Sequence, residues 1–211
     1  EAVAAAEMGV DQIGFVAGDY GVVHGELSFA DARRLAQALP AGTTRVALTM
    51  ATQVDEILRM AAAVEPDIIH ISTDLEDVGV AAMAELRRRL PAAVKLMKAL
   101  AVGGEESLAA ARRFAPVSDL FLLDSKGHGL PGIGASGLTH DWSISRRIVE
   151  AVNIPVILAG GLSAANVAEA IQAVRPAGVD SNTATNVPGD PVAKDLARLR
   201  AFVAAVRGAA Q

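Results

Sequence analysis

The residues best suited to chemistry fall in four short stretches. The first is Pro155-Val-Ile-Leu-Ala-Gly-Gly161, a wholly apolar run that ends in two glycines and is followed by Ser163 and a helical pattern. Glycines ahead of a helix N-terminus let backbone N–H groups approach an anion with no Cβ in the way, so Gly160 and Gly161 form a candidate phosphate cradle. The alternative is that they only turn the chain into a helix capped by Ser163. The second stretch runs from Ala177 to Gly189 and offers Asp180, Asn182 and Thr183 beyond another apolar segment, a second source of donors for the same anion.

The third stretch is Asp119-Leu-Phe-Leu-Leu-Asp124. Its apolar run carries Asp124 to a strand tip, where partial desolvation raises a carboxyl toward the range useful to a general acid or base. A purely structural Asp124 would instead accept N–H bonds from Ser125 to Gly127. Residues 126–138 follow with five glycines, Gly134 among them, as suits a loop that folds over a ligand or a backbone nest for an oxyanion. The fourth stretch holds Lys98, which inside a barrel could form a Schiff base, pair with an interior acid or bind phosphate. Asp19, His24 and Asp180 are possible proton acceptors. His128 and His140 read as loop and surface residues, and no His/Asp/Glu cluster has metal-ligand spacing, so no metal and no cofactor is expected.

The elements that must position these groups alternate regularly. Periodicity predicts helices near 1–8, 28–39, 53–64, 77–90, 105–114, 143–153, 163–174 and 193–208, with strands near 12–17, 45–50, 67–72, 94–100, 119–124, 155–160 and 177–182. Alternating strands and helices imply parallel strands joined by right-handed crossovers, either a (β/α)₈ TIM barrel or an open doubly wound sheet. The series begins on a helix and has seven strands for eight helices. It therefore reads as a single-domain α/β barrel, residues 1–211, whose first strand is expected ahead of Glu1. In a barrel, chemistry collects at the C-terminal ends of the strands, where all four stretches fall.

Composition narrows the partners. At 211 residues and 52% hydrophobic the chain can bury one large core. A net charge of −5 with one tryptophan, one tyrosine and five phenylalanines argues against a nucleic-acid surface. No apolar run is long enough to span a bilayer and no basic-then-apolar leader is present, which points to a cytoplasmic protein without a membrane partner. The absence of cysteine excludes disulfides, thiolate metal sites and a Cys nucleophile or base from these residues. The expected ligand is a small phosphorylated metabolite, and the protein is expected to act as a monomer or homodimer.

Several of these segments together resemble the phosphoribosylanthranilate isomerase family of tryptophan biosynthesis. They are Gly9-Val-Asp-Gln-Ile-Gly-Phe15, Leu123-Asp124 with Gly134-Ala-Ser-Gly-Leu-Thr-His-Asp-Trp142, Val156-Ile-Leu-Ala-Gly-Gly-Leu-Ser-Ala-Ala-Asn-Val167, and Arg175-Pro-Ala-Gly-Val-Asp180 followed by Pro188-Gly189 and Lys194-Asp195. The resemblance implies an Amadori rearrangement in which an aspartate at the end of strand six, here Asp124, protonates the ribose ring oxygen. It also implies a cysteine base at the end of strand one, a strand absent from these residues: the cysteine precedes Glu1 if the sequence continues upstream, and the family's base is missing if it does not.

The chain departs from the family pattern at three further places. Val16 to Ser28 lacks the family's substrate-binding arginine, so an anthranilate carboxylate loses its bidentate partner. A His-Gly pair after strand four becomes Ser72-Thr73. The Ser-Ser-Gly-Val-Glu of strand eight becomes Asn182-Thr-Ala-Thr-Asn186, which removes a glutamate. Three functions are compatible with this pattern: the isomerase itself, a paralogue acting on another phosphosugar through Asp124, and a non-catalytic phosphate-binding barrel.

Overall fold

Among the described residues, eight parallel strands curl around a small interior and carry eight α-helices on their outer face. The computed structural model describes residues 1–125, 132–134 and 139–209. The strands are β1 (Gln12–Ala17), β2 (Glu26–Leu27), β3 (Thr44–Thr49), β4 (Ile68–Ile71), β5 (Lys95–Ala101), β6 (Leu120–Asp124), β7 (Val156–Leu158) and β8 (Gly178–Val179). The helices are α1 (Ala2–Glu7), α2 (Phe29–Ala38), α3 (Val54–Val64), α4 (Val80–Arg89), α5 (Glu105–Phe114), α6 (Trp142–Ala151), α7 (Val167–Val174) and α8 (Leu196–Ala209). All seven expected strands and eight expected helices are present.

The sheet order is β2-β1-β3-β4-β5-β6-β7-β8, every neighbouring pair parallel. Among the described residues β2 and β8 share no hydrogen bonds, so the backbone does not close the barrel there. That side is instead bridged by termini: Arg207 donates to Gly9 O and pairs with Asp11, and the backbone N–H of Lys194 donates to Glu1. The two-residue β2 is an addition to the sequence reading. It exists because the Glu26 carboxylate accepts from the backbone N–H groups of Tyr20, Gly21, Val22 and Val23, folding the intervening turn so that Glu26 and Leu27 register against Val16 and Ala17. Periodicity cannot detect a strand that short.

Alternation along each strand sorts the side chains into two layers. Val46, Ile68, Met97, Leu120, Leu122, Ile157 and Ala159 pack together inside the curl. The opposite faces, including Ile69, Ile71, Leu96, Leu100, Phe121 and Leu123, join the larger core shared with the helices. Asp124 follows Leu122 by two residues and so projects to the inside at the C-terminal end of β6. Lys98 shares the face of Leu96 and Leu100 and so lies on the helix side of β5.

Candidate active site

Asp124 is 9% exposed. Burial raises its carboxyl to about 7; Ser125 N–H, donating at 2.6 Å to Oδ1, pulls it down, and Asp180 adds to the upward push. A carboxyl titrating there is neutral on the acid side of neutrality, as a general acid must be. Two glycines let backbone reach it. At Gly134, φ is +106° and an added Cβ would lie 2.7 Å from Asp124 Oδ2; at Gly160, φ is +87° and a Cβ would lie 3.2 Å from Oδ1. The segment that presents Gly134 is held by Ser72, whose hydroxyl donates to Ile133 O at 2.8 Å and whose carbonyl accepts from Ile133 N at 2.9 Å.

The turn after β7 and the turn after β8 meet beside this carboxyl. Asp124, Gly160, Gly161, Asp180, Asn182 and Thr183 line one pocket of about 140 Å³, together with Ala159, Leu162, Ser181 and Ala184. That volume is well below the roughly 300–1,000 Å³ of sites for drug-sized ligands, and suits a small polar group such as phosphate. The turns are tied to each other: Ser181 Oγ donates to Leu162 O at 2.7 Å, and Asp180 N donates to Leu158 O at 2.8 Å. Asp180 stays open to solvent, so the upward push that crowding gives its carboxyl counts for less than at Asp124. A larger cleft lies at the opposite, N-terminal ends of β3 and β4 beside the Arg45–Asp67 ion pair, the face of a barrel associated with stability.

The structure thus gathers six of the eight candidate site residues in one pocket and sets Gly134 against the same carboxyl. Lys98 is the exception and corrects the expectation of a phosphate ligand. It is fully buried and donates to Thr73 O at 2.6 Å; Asp74, Glu76 and Asp77 act on it through charge, and it makes no ion pair among the described residues. Burial lowers its ammonium to about 8 despite those acids. Strand parity is the reason: one residue's difference from Met97 sends the side chain to the helix layer. Asp19 and His24 are exposed and do not line the pocket. Lys126 and His128 lie outside the described residues.

Ser163 also plays a different part from the one expected. Its helix starts at Val167, with Asn166 as the cap residue; Asn166 accepts from Ser163 N at 2.8 Å and donates to Gly161 O at 3.1 Å. The amide therefore braces the glycine turn directly. His140, expected at the surface, is corrected by the structure, and His70 was not singled out from the sequence. His140 is half-buried, with Nδ1 3.2 Å from Ser125 Oγ and Nε2 2.8 Å from Ser145 Oγ, and burial lowers it to about 4, so it is neutral near pH 7. His70 stands inside the curl; burial, then the charge of Lys98, lowers it to about 3, and its Nε2 has no partner among the described residues. A histidine flanked by isoleucines in β4 was the available signal.

A family model described as N-(5'-phosphoribosyl)anthranilate (PRA) isomerase matches residues 3–205. An N-(5'-phosphoribosyl)anthranilate isomerase of Methanothrix thermoacetophila is 35% identical over 190 residues, 89% of this chain and 86% of that protein. Its counterpart in Halobacterium salinarum is 36% identical over 202 residues, 95% and 88% of the two chains. The crystal structure of phosphoribosyl anthranilate isomerase from Thermotoga maritima superposes with a TM-score of 0.79 at 27% identity, covering 98% of this chain and 93% of that one. A phosphoribosyl anthranilate isomerase in complex with reduced 1-(o-carboxyphenylamino)-1-deoxyribulose 5-phosphate superposes at 0.76 with 25% identity, over 98% and 92%. With the family model spanning nearly the whole length and relatives above 30% identity, the chain belongs to the N-(5'-phosphoribosyl)anthranilate isomerase family.

Proposed function

We propose that this chain isomerises N-(5'-phosphoribosyl)anthranilate by an Amadori rearrangement in tryptophan biosynthesis, with Asp124 as general acid and the turns after β7 and β8 as the phosphate site. The observation that carries the assignment is the single pocket in which a carboxyl raised to about 7 lies beside Gly160, Gly161, Asn182 and Thr183. In the reaction Asp124 gives its proton to the ribose ring oxygen as the C1'–O bond breaks, and the nitrogen lone pair forms the C=N bond of the opened Schiff base. Loss of the C2' proton then returns the electrons to nitrogen, and the enol so formed becomes the C2' ketone on protonation at C1'. Of the three proton acceptors considered from sequence, Asp180 alone lines the pocket. A cytoplasmic setting and a monomeric or homodimeric state go with this reading.

Asp124→Asn tests it. The amide keeps shape and the bond from Ser125 N–H but has no proton to give, so kcat falls by about 100-fold or more while inorganic phosphate still binds. Undiminished turnover of phosphoribosylanthranilate by Asp124→Asn refutes the assignment of the acid.

One observation favours a second reading, a paralogue that acts on another phosphosugar. Residues 16–28 are folded around the Glu26 carboxylate and include no arginine for an anthranilate carboxylate. Turnover of a different ring-opening aldose phosphate, with none of phosphoribosylanthranilate, would select it.

A further inference from the structure

Among the described residues, the wall of the phosphate pocket contains two carboxyl groups, Asp124 and Asp180, and no lysine or arginine. A phosphate dianion placed there needs positive potential beyond what the glycine turns supply. The ammonium of Lys194 stands directly behind that wall. Its Nζ donates to Asn182 O at 3.0 Å and Asn182 Oδ1 at 2.6 Å, and Asn182 itself lines the pocket. It also reaches Asn186 Oδ1 at 2.5 Å and Thr185 Oγ1 at 3.4 Å. All four are neutral oxygens. The Lys194 ammonium makes no ion pair among the described residues; burial lowers it, and the charges of Asp180 and Glu1 oppose that through space.

The neutrality of that cage has a sequence origin. Asn186 occupies the place where the family pattern has a glutamate. It is 5% exposed, and a carboxylate on this short antiparallel bridge between Asn186 and Lys194 would meet the ammonium and cancel its charge. With an amide there, the ammonium meets no carboxylate in its cage and spends its three N–H groups on holding the loop.

We propose that Lys194 is the counter-cation of the phosphate site, a positioning residue that both shapes the 182–186 turn and lends an uncancelled positive charge to a dianion bound in front of it, and that Asn186 is what leaves this charge available. The inference rests on the phosphate-site reading given above.

The test is calorimetric titration of the folded protein with inorganic phosphate, together with kcat and KM for the phosphorylated substrate. Lys194→Gln weakens phosphate binding about 10-fold, the size expected for losing one nearby charge, and raises KM more than it lowers kcat. Lys194→Arg restores binding to within about 3-fold of wild type, because the charge is kept. Asn186→Asp leaves Lys194 in place but cancels its charge, and weakens phosphate about 3-fold or more. Phosphate affinity unchanged in Asn186→Asp, or equal in Lys194→Gln and wild type, overturns the proposal. Should Lys194→Gln fail to fold, Asn186→Asp decides alone. Absence of phosphate binding by the wild type would instead overturn the phosphate-site reading itself.

Discussion

Asp124 should weaken the fold in proportion to its fitness as an acid. Its carboxyl rises from 3.8 to about 7 on folding because burial disfavours the charged form. The native state therefore holds a proton that the unfolded chain releases between those values. Stability falls as pH rises wherever the native state binds more protons than the unfolded one. The penalty is absent below about pH 4, grows up to about pH 7, and is constant above it. A displacement of about three units at 1.36 kcal/mol each amounts to about 4 kcal/mol. Asp124→Asn has no proton to lose and keeps the N–H bond from Ser125, so it avoids the penalty. Urea unfolding of both proteins at pH 4, 6 and 8 should show near-equal stability at pH 4 and a widening advantage for Asp124→Asn, approaching about 4 kcal/mol at pH 8. Other titrating groups cancel in the difference. A stability difference between the two proteins that does not change with pH would refute the claim that Asp124 is held protonated by burial.

Three further outcomes follow from the same geometry. The pH profile of kcat/KM should fall about tenfold per unit above pH 7, as the free enzyme's Asp124 loses its proton; a flat profile to pH 9 would contradict the acid role. Gly134→Ala places a Cβ 2.7 Å from Asp124 Oδ2 at φ +106°, and should cost about 1–3 kcal/mol of stability by thermal unfolding and at least about 10-fold in activity. Lys98→Met removes a buried ammonium on the helix side of β5, and should leave inorganic phosphate affinity within about 2-fold of wild type; a larger loss by calorimetry would return Lys98 to the site.

The order of strands and helices was legible because β4, β6 and β7 are buried on both faces and read as largely apolar runs, β1 alternates exposed and buried positions, and the helices between carry periodic stripes. Those two signals are local, and they located Asp124, the Gly160-Gly161 turn and the Asp180 to Thr183 segment at the ends of strands. Other features depended on distances that periodicity does not encode. The β2 strand is made by one glutamate closing a turn, and α7 starts later than Ser163 suggested, with the Asn166 side chain turned back to Ser163 N and Gly161 O.

What the chain determined by itself is therefore the alternation of elements, the absence of a thiol among its residues, and which polar groups stand at strand ends. What only the tertiary structure decided is which of those groups face one another. Lys98 and Asp124 look equivalent as polar residues in apolar strands, yet one residue of register sends the first to the helices and the second to the interior. The side chains of His140, Asn186 and Lys194 acquire the hydrogen bonds named above from partners five to fifteen residues away along the chain. Burial and the nearness of a second carboxyl are properties of the packed fold, and they turn a carboxyl of ordinary acidity into one that still holds its proton near neutrality.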